Sequence, residues 1–204
     1  MTTMTRRTLG ASAVALLFAA SFAAAQAPQT VRVRATLETI DGQMLAAKSR
    51  DGAAMKIKLA DNAPVNEVVK ASLTDIKENS YIAVTAMPQP DGSQKAVAIL
   101  IFPEAMRGVA EGHRPWDLEP NSTMTNATVA EQVAGTDGQT VTVKYKDGDK
   151  KILVTPATII VTFKKSAASE LKAGQKIFVA AAKKLDDGTL EAPNVAYGDV
   201  GVWR

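Results

Sequence analysis

The only histidine of the chain, His113, stands within six residues of Arg107, Glu111, Arg114, Trp116 and Asp117. An imidazole flanked by carboxylates is a ligand set for Zn(II), Ni(II) or Cu(II), and the thioethers of Met106 and Met124 in the same stretch would suit Cu(I). His113, Glu111 and Asp117 are therefore the candidate ligands for a divalent transition metal. Their spacing matches no established metal motif, and structural zinc sites draw on more Cys and His than one histidine and no cysteine supply. Two other readings use the same residues. In one, Arg107, Arg114 and the neighbouring carboxylates form a clasp between two folded units, with Trp116 plugging a groove between them. In the other, the cluster meets a small ligand or a protein partner. Trp116→Ala loosens a clasp, whereas His113→Ala leaves the fold of a metal protein alone and removes binding.

The same inventory argues against an enzyme. A serine hydrolase needs a nucleophile, a base and an orienter, and His113 would have to be the base. There is no Gly-x-Ser-x-Gly elbow. His-Glu-x-x-His, a phosphate-cradling glycine loop and a dinucleotide fingerprint are also missing. Glu111 and Asp117 would remain as an acid–base pair, but no deep cleft is implied by short strands with polar tips. No catalysis is expected.

The elements around the cluster explain where it sits. Residues 104–125 follow neither the strand nor the helix period, and with Pro103 they hold three prolines and two glycines. Connections of this length are functional or are disordered linkers. Disordered linkers are poor in bulky apolar residues, yet this one contains Met106, Val109, Trp116, Leu118 and Met124. It is expected to be an ordered connector packed on its neighbours.

On either side the chain repeats itself. Asp41-Gly42, Asp51-Gly52 and Asp91-Gly92 each recur 96 residues later, as Asp137-Gly138, Asp147-Gly148 and Asp187-Gly188. Arg34-Ala35-Thr36-Leu37 matches Asn126-Ala127-Thr128-Val129, and Ile82-Ala83-Val84 matches Ile177-Phe178-Val179. Asp-Gly marks tight hairpins because both residues tolerate positive φ. The flanks, such as Val31 to Leu37, Met55 to Leu59 and Thr140 to Tyr145, alternate apolar with polar residues as half-buried strands do. Each unit also has a short helical segment, about Ser72–Ile76 with capping-box spacing between Ser72 and Asp75, and about Ser166–Leu171. Three strands, a short helix and two strands is the order of a five-stranded OB-like barrel. The expected fold is mainly β: two tandem OB-like barrels, residues 26–103 and 126–204.

This pattern, with its turn Leu171-Lys172-Ala173-Gly174-Gln175-Lys176-Ile177, resembles bacterial exported proteins built from tandem small OB-like domains of unknown function. The resemblance covers nearly all of both repeats. Some such proteins are labelled metal ABC transporter permeases, which would require several membrane helices that this sequence does not encode. OB-like barrels often bind single-stranded nucleic acid through aromatic platforms. Here Tyr81, Tyr145, Phe163 and Phe178 lie in or beside strand patterns and read as packing residues, so no nucleic-acid partner is expected.

The first 25 residues have the three parts of a cleavable export signal: Arg6-Arg7, an apolar run from Ala11 to Phe22, and Ala23-Ala24-Ala25. The apolar run is about half the ~20 residues a membrane helix needs, so no stable transmembrane anchor is expected after cleavage before Gln26. Thr5 to Leu9 resembles a twin-arginine signal, although paired arginines also serve ordinary export. Two of the 24 Lys and Arg lie in this leader, leaving 22 against 21 Asp and Glu. That balance gives no electrostatic footprint for a polyanion. The sequence thus reads as an exported, periplasmic or secreted, non-catalytic binding or accessory protein with its site in the connector. Its partner would be a small ligand or an envelope protein. The alternatives are a metal-binding accessory for uptake or resistance, and an envelope structural or interaction protein.

Overall fold

A computed structural model describes residues 30–135 and 138–202. The expected leader, residues 1–25, lies outside the described residues. The protein is mainly β. The first repeat forms β1 (Thr30–Asp41), β2 (Met44–Ser49), β3 (Ala54–Leu59), β4 (Val65–Lys70), β5 (Tyr81–Pro88) and β6 (Gln94–Ile101). The connector contributes β7 (Gly112–Pro115). The second repeat forms β8 (Thr123–Gly135), β9 (Gly138–Tyr145), β10 (Gly148–Val154), β11 (Ile159–Ser166), β12 (Lys176–Lys184), β13 (Leu190–Ala192) and β14 (Val195–Tyr197). One-turn 3-10 helices at Leu73–Asp75 and Ala168–Glu170 occupy the expected helical segments. In the first, the backbone N–H of Ser72 donates to Asp75 Oδ2 at 2.7 Å. The glycines of all six Asp-Gly pairs have positive φ, as their turns require.

The strands close two five-membered rings, but the pairing departs from a tandem arrangement. The first ring runs β1-β2-β3-β13-β12 and returns to β1; the second runs β8-β9-β10-β6-β5 and returns to β8. Each therefore takes three strands from one repeat and a later hairpin of two from the other, β12–β13 in the first ring and β5–β6 in the second. The cause is a strand not anticipated from the sequence. After β3 the chain leaves its ring as β4, which pairs antiparallel with its counterpart β11, Val68 opposite Phe163. The crossing delivers the next hairpin to the neighbouring ring. The register preserves the repeat: Ala35 opposes Ile177 on one side and Ala127 opposes Ile82 on the other. β4 and β11 also pair in parallel with β14 and β6 respectively, so the rings share one continuous sheet.

Period-two alternation fills each ring. β1 turns Val33, Ala35 and Leu37 into a core with Leu45, Ile57, Ile177 and Val179, leaving Arg32, Arg34 and Thr36 on its other face. The second core gathers Ile82, Val84, Ile99, Val129, Val143 and Ile152. A third, smaller cluster of Val68, Ala98, Val161, Ala196 and Val202 lies at the crossing. Backbones approach closely there: a Cβ on Gly198 would come within 2.8 Å of the Val68 carbonyl oxygen. Among the described residues no helix is long and apolar enough to cross a membrane.

Candidate functional site

The connector touches both rings. Its strand β7 pairs antiparallel with β8, His113 opposite Thr125 and Arg114 opposite Met124. That register brings His113 Nδ1 to 2.8 Å from Thr125 Oγ1 and stacks the imidazole on Tyr145, 6.5 Å between centroids. Burial, aided by Lys150 and Arg114, holds the His113 imidazole below its ordinary pKa of 6.5. Glu111 accepts the Lys146 backbone N–H at 2.9 Å. Arg107 pairs with Glu104 and donates to the Asn79 carbonyl at 2.7 Å. The Val109 carbonyl accepts from Tyr81 and from Asn126 Nδ2. These contacts all engage the second ring or the connector itself.

Trp116 and Asp117 reach the first ring instead. Asp117 accepts two hydrogen bonds from Arg34, at 2.8 and 2.9 Å, and pairs with Arg32 at 2.8 Å. The Arg34 hydrogen bonds, then those of Arg32, hold its carboxyl well below the usual carboxylate range. The Arg32 guanidinium lies over the Trp116 ring at 3.7 Å, and those of Arg34 and Arg114 at 5.7 Å, within cation–π range. The candidate residues are thus divided: Asp117 and Trp116 on β1; His113 and Glu111 on β8 and the β9–β10 turn; Arg107 beside Glu104; Arg114 between Trp116 and the Ala110 carbonyl. Among the described residues no three of His, Cys, Asp and Glu come together as a metal-holding group.

Behind the connector is a cavity of about 1000 Å³. Its floor is the shared sheet, with Val65 of β4, Val161 and Phe163 of β11, Ala98 and Leu100 of β6, and Ala196 of β14. Arg34, Phe178 and Ala180 line it from the β1–β12 side, and Ala83, Met124 and Asn126 from the β5–β8 side. Met106, Val109, Ala110, Arg114 and Trp116 of the connector complete the lining. Tyr81, Phe102 and Phe163 form a chain of ring contacts at 5.4 and 6.1 Å, two of whose members line this space.

Two residues of this lining each hold a polar atom that has no hydrogen-bond partner among the described residues, Arg34 Nε and Asn126 Oδ1, both fully buried and not open to the cavity. The Arg34 side chain is 9% exposed, and Asn126 is 4% exposed. Buried polar groups are nearly always paired, because an unmade hydrogen bond costs about 1–3 kcal/mol. The cavity itself is mostly apolar, with the basic side chains of Arg34, Arg114 and Lys165 in its lining, the make-up of a pocket in which a few polar groups orient a ligand. Neither Arg34 nor Asn126 stood out in the sequence as chemistry, though their alignment as equivalents was visible. No family model matches the chain, and no curated protein or solved structure is similar enough to it to inform its function.

Proposed function

We propose that the mature chain is an exported, periplasmic, non-catalytic binding protein that takes one small organic molecule into the cavity between its rings. In this reading residues 1–25 are a cleaved signal. The two rings are OB-like barrels that have exchanged their final hairpins, in keeping with the resemblance to exported OB-like proteins. The observation that carries the proposal is a large, mostly apolar cavity with three basic side chains, Arg34, Arg114 and Lys165, in its lining. Pockets of this size and character bury most of a drug-sized ligand, and a few polar groups orient it. The connector serves both as clasp and as cavity wall, so ordering it against both rings also forms the site.

The test is titration with the neutral apolar dye N-phenyl-1-naphthylamine. Saturable binding of one dye per chain is expected, and Ala180→Trp should weaken it at least about ten-fold. Ala180 lines the cavity but is exposed, so the substitution obstructs the space without disturbing either core. Dye binding that is non-saturable, or indifferent to Ala180→Trp, contradicts the proposal.

A further inference from the structure

Resting on that reading of the cavity, we infer that its ligand is an amphiphilic anion, with an aliphatic body on the sheet floor and a single anionic head at Arg34 and Arg114. The charge of the lining decides the sign. Arg34, Arg114 and Lys165 line the cavity, and no Asp or Glu does so among the described residues. Arg32, Arg34 and Arg114 surround Trp116, yet among the described residues Asp117 is the one carboxylate in ion-pair contact with them there. Three guanidinium groups against one carboxylate leave two positive charges uncompensated in a partly buried place, and an incoming anion would offset one of them.

Donor geometry points the same way. The two outer nitrogens of Arg34 are committed to Asp117 and its Nε is buried without a partner, so Arg34 offers the head its charge. Arg114 donates to the Ala110 carbonyl alone among its described hydrogen bonds, leaving further N–H groups for an acceptor. Charge-assisted hydrogen bonds from guanidinium to a carboxylate or phosphate oxygen are the strong kind. The floor offers only apolar side chains at Val65, Ala98, Leu100, Val161, Phe163 and Ala196, which suits a hydrocarbon body.

The experiment follows Trp116 fluorescence of the mature chain carrying Trp203→Phe, using probes of equal chain length below their micellar concentrations. These are dodecanoate, dodecyl phosphate, dodecanol and dodecyltrimethylammonium. Both anions should bind at one per chain, at least about ten-fold more tightly than dodecanol, and the cation should bind weakest. The tighter anion identifies a carboxylate-bearing or a phosphate-bearing source. Arg114→Gln should bring dodecanoate toward the affinity of dodecanol and leave dodecanol unchanged. Equal affinity for dodecanoate and dodecanol would overturn the anion proposal while leaving the cavity as a binding site. Failure of every probe, dodecanol included, in protein that melts normally would overturn both.

Discussion

Arg34 and Asn126 occupy equivalent positions in the two repeats, on β1 and β8; both line the same cavity, and each holds one buried polar atom without a hydrogen-bond partner among the described residues. Equivalent backbone positions have been given different chemistry, a donor on one side and an acceptor on the other. The connector, which has no counterpart within the other repeat, lies against both: Asp117 holds Arg34, and the Val109 carbonyl holds Asn126 Nδ2. The asymmetry of the site therefore arises in a nearly symmetric frame.

The hairpin exchange is testable with cysteines, since the chain has none of its own. Thr36 lies opposite Lys176, whereas in a tandem arrangement it would oppose Tyr81, the counterpart of Lys176. Oxidation of a Thr36→Cys, Lys176→Cys pair should give an efficient intramolecular disulfide under native conditions, read by peptide mapping. Efficient linkage in a Thr36→Cys, Tyr81→Cys pair instead would restore the tandem arrangement.

Asp117→Ala removes the carboxylate from a largely buried guanidinium. Breaking a fully buried ion pair costs about 3–5 kcal/mol; Asp117 is half-exposed here, so a loss nearer 2 kcal/mol is expected in urea unfolding. In an Arg34→Met background the same substitution should cost much less, which a double-mutant cycle isolates. Trp116→Ala should also loosen the connector, by about 1–3 kcal/mol from lost cation–π and packing contacts. An Asp117→Ala cost that is unchanged in the Arg34→Met background would show that the pair does not fasten the connector.

Acid should weaken the protein in two stages. The folded pKa of His113 is depressed by burial, Lys150 and Arg114, so the unfolded chain takes up its proton first as pH falls. Stability is then lost as pH drops below about 6.5 toward the folded value. Asp117, also depressed, contributes a second loss below its ordinary value of 3.8. Urea midpoints at pH 7 and pH 5 should differ in the parent and converge in His113→Gln. An undiminished difference in His113→Gln would assign the first stage to another group.

Much of the frame was legible because its signals are local. The Asp-Gly pairs marked hairpins, alternation marked β1, β3 and β9, and the bulky residues of 104–125 marked a packed connector. The exchange was not legible for a physical reason. Ile82 and Ile177 are interchangeable opposite Ala127 and Ala35, so the contact closing a ring has the same chemistry whichever repeat supplies it. β4 was missed because Val65–Lys70 serves two environments: Val65 packs in the first core and Val68 at the crossing, and this breaks simple alternation. Arg34 looked like any polar residue on the outer face of a strand. Only the pairing of β4 with β11 turns that face toward a cavity.

The most direct measurement of the cavity as a binding site uses its methionines. After residue 25 the chain has Met44, Met55, Met87, Met106 and Met124. Of these, Met106 from the connector and Met124 from β8 line the cavity, while Met44 is exposed on β2 and Met55 packs on the first core. In ¹³C-methyl-methionine NMR of the chain from Gln26 onward, one equivalent of dodecanoate should shift the Met106 and Met124 methyls together and leave Met44 and Met55 in place. Shifts confined to Met44 or Met55, or no shift at Met106 and Met124 at saturation, would contradict binding between the rings.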